Sequence, residues 1–123
     1  VTPRSASDIS TTIRVLQAQE CKFAVKSGGH ASFAGSSNIE NAITIDLGAL
    51  NQIEISSDRT RVSIGAGAVW SDVYPVVDKA GLGVVGGRVP GIGVGGLTLG
   101  GGISFFSGRY GFACDNVVNY QVS

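Results

Sequence analysis

The chain has 123 residues, 43% hydrophobic, 15% charged and 7% aromatic, and its nine Lys plus Arg balance nine Asp plus Glu. That length and apolar fraction suit one folded core, and Gly or a polar residue breaks every apolar run well short of the ~18 residues that span a bilayer. Cations scattered at positions 4, 14, 22, 26, 59, 61, 79, 88 and 109, with no net charge, argue against nucleic acid, whose binders cluster Lys and Arg to displace counterions.

Ile9, Ile13 and Leu16 recur at helical spacing and predict a helix over 5–20, with Ser5 or Ser7 as its N-cap and Pro3 and Asp8 near its start. Short strands are expected over 22–26, where Phe23 and Val25 alternate, and over 42–47, where Ile43, Ile45 and Leu47 do. Residues 52–55 and 61–64 flank the turn Ser56-Ser57-Asp58-Arg59-Thr60 and read as a hairpin. A second helix is expected over 68–80, with Val73, Val76 and Val77 on one face and Gly81 as its stop, provided Pro75 sits in the first turn. Val84 and Val85 read as a brief strand. Residues 86–102 show neither period, Phe105 to Tyr110 suggests a helical turn, and Val117 to Ser123 has a strand pattern that stops in mid-element. The sum is α+β, with hairpins and short ladders and helices packed on one side. The start at Val1-Thr2-Pro3 and the interrupted last strand lead us to expect a piece of a longer polypeptide.

Cys21 and Cys114 lie far apart, form no Cys-x-x-Cys and accompany a single His, so no metal site is expected. They read as free buried thiols, with one disulfide between them as the alternative. Trp70, Tyr74, Phe105 and Phe106 read as packing aromatics, Asp46 and Asp115 as turn caps, and Arg88 as a surface charge.

Glycine is the abnormal number: 19 in the chain, eleven of them between Gly81 and Gly102. Glycine is selected where the chain takes positive φ or where another group approaches the main chain closely. Gly91-Ile92-Gly93-Val94-Gly95-Gly96 matches Gly-x-Gly-x-x-Gly, as does 81–86. A Rossmann reading requires a strand before that turn and a helix after it, and Leu97-Thr98-Leu99 followed by three more glycines argues against a helix. What survives is a row of unobstructed N–H groups, which suits a pyrophosphate. A second such row, Lys26-Ser27-Gly28-Gly29-His30-Ala31, follows the first predicted strand and ends at the only imidazole; Ser27 can add its hydroxyl, and Lys26 can face phosphate or solvent.

Five ordered motifs carry a resemblance over nearly the whole chain. They are 26–30, Ile43-Thr44-Ile45-Asp46-Leu47, Gly65-Ala66-Gly67, the run 93–102, and Arg109-Tyr110-Gly111-Phe112-Ala113-Cys114-Asp115-Asn116. Together they resemble the PCMH-type FAD-binding domain of the vanillyl-alcohol oxidase superfamily, and more narrowly its berberine-bridge-enzyme and hydroxy-D-nicotine oxidase branch in fungal form. The resemblance implies that residues 1–123 are part of an FAD-binding domain and that the substrate domain of the polypeptide is absent from this chain. It implies cofactor contacts from Lys26, Ser27, Gly28, Gly29, His30 and Ala31, and from Gly87, Val89, Ile92, Gly93, Gly95, Gly96, Leu99, Gly101, Gly102, Ile103 and Asn116. His30 would carry the covalent link to the flavin 8α-methyl. Many relatives add a second link through a Cys just before a Pro; Val89 precedes Pro90 here, so a single link is expected. Ile92 occupies the position where side-chain bulk is associated with oxygen reactivity, which leaves oxidase against dehydrogenase open.

The activity implied is hydride transfer from a small alcohol, amine or sugar-type substrate to FAD, with molecular oxygen as acceptor. The catalytic base would lie on the absent substrate domain. The alternative is a non-redox homologue or scaffold in which flavin is structural or missing.

Overall fold

The computed structural model describes residues 1–122 and bears out the α+β expectation, with two separate two-stranded sheets and four helices among them. Helix α1 spans Ala6–Ala18. Ser5 caps it by accepting the Asp8 N–H at 3.1 Å, and Asp8 in turn accepts the Arg4 N–H at 2.9 Å. The Arg4 N–H first, and the Ser5 hydroxyl second, hold the Asp8 carboxyl below its usual range. Leu16 is the residue α1 buries.

Strand β1, Phe23–Lys26, runs parallel to β2, Ile43–Asp46, with Phe23 opposite Ile43 and Lys26 opposite Asp46. Val1 pairs along the outer edge of β2: its amine donates to the Thr44 carbonyl and its carbonyl accepts the Asp46 N–H, both at 2.8 Å. A 3-10 turn over Leu47–Ala49 follows, capped by Asp46 through the Gly48 N–H. The hairpin forms as predicted, from β3, Ile53–Ile55, and β4, Val62–Ile64. Asp58 organises its turn by accepting the Ser56 hydroxyl and the Thr60 N–H, and Arg59 adopts φ 60°.

Helix α2, Trp70–Lys79, starts two residues later than predicted and buries Trp70, Val73 and Val77. Pro75 is its sixth residue, in the second turn rather than the first. The position is tolerated because Pro75 lies on the exposed face, where the Ser71 carbonyl that loses its helical donor meets solvent. Gly81 stops the helix as expected: at φ 67° its N–H reaches the Asp78 carbonyl, and the Leu82 N–H reaches Val77. Ala68, Trp70, Val73 and Val94 form the core, with Ile53, Ile64, Tyr74, Val84, Ile92 and Leu97 packed around it.

Several expectations fail. Val84 and Val85 form no strand, and neither do residues 117–122; Ser123, the last of the expected strand, lies outside the described residues. Two valines are too few to hold a ladder; Val84 instead packs on the core. Helix α3, Val94–Leu99, lies inside the segment that showed no period. Its flanking glycines serve as the caps, Gly93 at the start and Gly100 at the end, and burial of Val94 and Thr98 offsets the low propensity of Gly95 and Gly96. Helix α4, Ser107–Tyr110, falls within the predicted turn. Trp70 and Tyr74 pack as read, but Phe105 is 80% and Phe106 52% exposed. Both cysteines are free; Cys21 is exposed in the turn after α1 and Cys114 is half-buried, so the buried-thiol reading is wrong for Cys21.

Candidate functional site

Residues 27–31 leave the end of β1 as a turn, with Gly29 at φ 69° and the Lys26 side-chain stem directly beneath it. The Lys26 ammonium meets Asp46 at 2.9 Å, a pairing set by the parallel register, while its side chain stays 40% exposed. This ammonium first, and the Gly48 N–H second, lower the Asp46 carboxyl below its usual range. Ser27 bonds back onto the chain. Its hydroxyl proton is committed to the Ala66 carbonyl at 2.5 Å, which ties the turn to the Gly65-Ala66-Gly67 segment. Among the described residues, no acceptor takes the backbone N–H of Ser27, Gly28, Gly29, His30 or Ala31. His30 itself is exposed.

The second glycine segment is laced antiparallel to residues 68–71. Trp70 N–H donates to the Ile92 carbonyl at 3.1 Å, Ser71 N–H to Pro90 at 2.9 Å, and Val94 N–H to Ala68 at 2.8 Å, with Val69 bridging Gly93. This lacing sets Gly93 against the first turn. A Cβ on Gly28 would stand 2.7 Å from the Gly93 Cα, one on Gly93 would stand 2.6 Å from the Ser27 Oγ, and one on Gly95 would stand 2.8 Å from the Ala66 carbonyl oxygen. Main chain therefore touches main chain between two turns that are distant in sequence. They share one cradle, with His30 at its rim.

The remaining implied residues fall into a second group around the C-terminal end of α3. Gly101 and Gly102 take φ 98° and 81°, and their carbonyls accept the N–H groups of Cys114 and Ala113 at 3.0 and 2.8 Å. Leu99 and Ile103 are exposed. Asn116 spends both amide protons on the carbonyls of Tyr110 and Phe112, and Asp115 accepts the Phe112 N–H at 2.7 Å. Asn116 is thus a brace for that turn, and Asp115 and Asp46 cap turns as read. In the second loop, Arg88 and Val89 are exposed, Gly87 is buried and Ile92 is half-buried against the core. Sequence reading missed Ala66 as the acceptor for Ser27 and Tyr74 as a donor to the Gly87 carbonyl. The Gly65-Ala66-Gly67 motif signalled the first; no local signal pointed to the second.

These residues fit a dinucleotide. A pyrophosphate is held by N–H donors free of side-chain bulk, and the 27–31 turn supplies such a run. Gly91, Gly96 and Gly101 each have open space where a side chain would stand, so a flat ring can approach the backbone there. Two other concavities, of about 580 Å³ beside Cys21 and Ile43 and about 230 Å³ beside Glu54 and Gln121, lack the glycine turns and the imidazole. No cluster of metal-ligating side chains occurs among the described residues, and no helix among them is long and apolar enough to cross a membrane.

A family model described as an FAD binding domain matches residues 1–123. The chain belongs to that family. This FAD-binding domain is 49% identical over 118 residues to an FAD-dependent monooxygenase of Cochliobolus heterostrophus, covering 96% of the chain and 23% of the relative. It is 44% identical over 123 residues to one of Aspergillus niger, covering 99% and 21%. Among solved structures it resembles 6-hydroxy-D-nicotine oxidase of Arthrobacter nicotinovorans, with TM-score 0.86, 34% identity, and coverage of 92% of the chain and 25% of the oxidase. It also resembles berberine bridge enzyme in complex with (S)-reticuline, with TM-score 0.88, 31% identity, and coverage of 96% and 24%. The FAD-binding domain described here therefore spans about a quarter of the length of these relatives. Helix α3 does place a helix after Gly93, the feature that a Rossmann reading lacked. Yet residues 84–93 provide no strand to feed it, and the match is to an FAD binding domain.

Proposed function

We propose that the polypeptide carrying this domain is an FAD-linked oxidoreductase acting on a small alcohol, amine or sugar-type substrate, with the flavin joined to His30 and oxygen as electron acceptor. The observation that carries the reading is the contact between the two glycine turns with an exposed imidazole at their rim. The 27–31 turn holds the pyrophosphate through its N–H groups, while Ser27 fixes that turn through Ala66. Residues 87–102 lie along the flavin, with the contacts of Gly87, Val89, Ile92, Gly93, Gly95, Gly96, Leu99, Gly101, Gly102 and Ile103 resting on the family resemblance. When bound, FAD supplies a two-electron acceptor that takes hydride from the substrate carbon and returns the electrons to oxygen as hydrogen peroxide. Val89 has no sulfur, so no thioether forms beside Pro90 and the link through His30 is single. The substrate pocket and the base that takes the substrate proton belong to the remaining polypeptide.

Acid precipitation of the full-length polypeptide after FAD loading tests this. Yellow colour is expected in the precipitate of the unaltered protein and in the supernatant of His30→Ala. Colour that precipitates with His30→Ala refutes the linkage, and a polypeptide that takes up no FAD supports the scaffold alternative. The names of the monooxygenase relatives favour one second reading, insertion of an oxygen atom into product. Labelled oxygen separates the two, appearing in peroxide under the first reading and in the organic product under the second.

A further inference from the structure

The second glycine loop is pinned at its two ends by different means. Its C-terminal end, Pro90 to Val94, is held by main-chain bonds to Ala68, Trp70 and Ser71. Its N-terminal end is held by side chains of α2. The Tyr74 hydroxyl donates to the Gly87 carbonyl, and the Trp70 indole lies directly under Gly86 and Gly87. A Cβ on Gly86 would stand 2.6 Å from Trp70 Cη2, and one on Gly87 would stand 2.7 Å from both Trp70 Cδ1 and Leu97 Cδ1. Trp70 and Tyr74, four residues apart on one helix face, stack with centroids 5.7 Å apart and planes at 29°. Trp70 is 2% exposed and its Nε1 has no acceptor, so the indole works through its surface rather than its N–H. From the first anchor into the second, Arg88, Val89, Pro90 and Gly91 are exposed.

We propose that Tyr74 is a positioning residue for the cofactor: its hydroxyl fixes the height of the Gly87–Gly91 strap over the cradle, on a platform provided by Trp70. The inference rests on the FAD reading above. The main-chain bonds at 90–94 persist whatever residue stands at 74, whereas the Gly87 end depends on one hydroxyl. Burial raises the Tyr74 pKa above its usual value, so the hydroxyl keeps its proton through the physiological range. Trp70 presents ring carbons to Gly86 and, at Gly87, both a ring carbon and its unpartnered Nε1, which makes no hydrogen bond to the loop, so the Tyr74 hydroxyl alone bonds the Gly87 carbonyl.

The test uses the full-length polypeptide in a His30→Ala background, so that FAD exchanges, and compares Tyr74 with Tyr74→Phe. Phenylalanine keeps the stack on Trp70 and removes only the hydroxyl. The expected result is an FAD dissociation constant raised about tenfold, together with shifted visible absorption bands of the bound flavin. The apo-protein should melt within about 2 °C of its parent, because one partly exposed hydrogen bond is removed with the packing kept. Unchanged affinity and spectrum in Tyr74→Phe overturn the proposal, as does a loss of affinity matched by an equal loss of apo-protein stability with an unchanged spectrum. FAD uptake by the parent but an unaltered Tyr74→Phe variant refutes this inference alone; no FAD uptake by the parent refutes the function on which it rests.

Discussion

The sharpest consequence of the cradle concerns Gly28. Its φ is not in the left-handed region, so alanine is excluded there by contact and not by backbone conformation. Carbon atoms pack at about 3.5–4.0 Å, and the new methyl would stand 2.7 Å from the Gly93 Cα. The turns must therefore part by roughly 0.8 Å or more. Overpacking of this kind costs about 1–3 kcal/mol. If the turns stay shut the cost appears in folding; if they part, it appears in cofactor affinity, where the same figure is roughly five- to 150-fold. The control is Gly83→Ala, where nothing lies within 4 Å and φ is not left-handed, so alanine is neutral or stabilises by about 0.4–1 kcal/mol. Urea unfolding and FAD titration of both variants in the full-length polypeptide separate the two routes. A Gly28→Ala protein matching Gly83→Ala in both urea midpoint and FAD affinity would refute the close approach of Gly28 to Gly93.

Two further predictions follow from other parts of the molecule. Asp46→Asn should lower stability at neutral pH by less than about 1 kcal/mol, since the Lys26–Asp46 pair is over a third exposed and screened by solvent. The folded carboxyl titrates below the unfolded one, so the contribution is full above the ordinary carboxylate range and vanishes as pH falls through the lowered value. Urea midpoints of the two proteins should converge in acid, and a difference that persists at the lowest pH would contradict this. The 123-residue chain produced alone should enhance the fluorescence of a hydrophobic-surface dye more per mole than the full-length polypeptide. Leu99, Phe105 and Val118 are 81%, 80% and 76% exposed in it. Equal enhancement would show that these side chains are equally accessible in both.

Elements with local signals were legible in the sequence. Ser5 announces α1, Asp58 and its neighbours announce the hairpin, and Gly81 announces the end of α2. Helix α3 was not, because its stability depends on Val94 and Thr98 finding the core and on the Ala68 carbonyl receiving the Val94 N–H. A six-residue helix with two internal glycines carries no period of its own. The Lys26–Asp46 pair was equally hidden: each residue is unremarkable until the parallel register sets them side by side. Phe105 and Phe106 misled because aromatic size argues for burial, while their actual neighbours in this chain cover little of them.

The cradle itself was legible for a different reason. Two turns that touch through main chain leave no freedom in residue type at Gly28 and Gly93, so the geometry writes itself into the sequence as glycine. A contact made by side chains can be built from many residue pairs and leaves no such mark. The Tyr74 bond to Gly87 is of that second sort, which is why the glycine was seen and the tyrosine was not. The same distinction separates shape from chemistry at this site. Glycine determines where a dinucleotide can lie, whereas under the proposed function His30 would set how the cofactor is tethered and Ile92 what can reach it. Substitutions at 28 and 93 should therefore change how much cofactor is held, and substitutions at 30 and 92 how the held cofactor behaves.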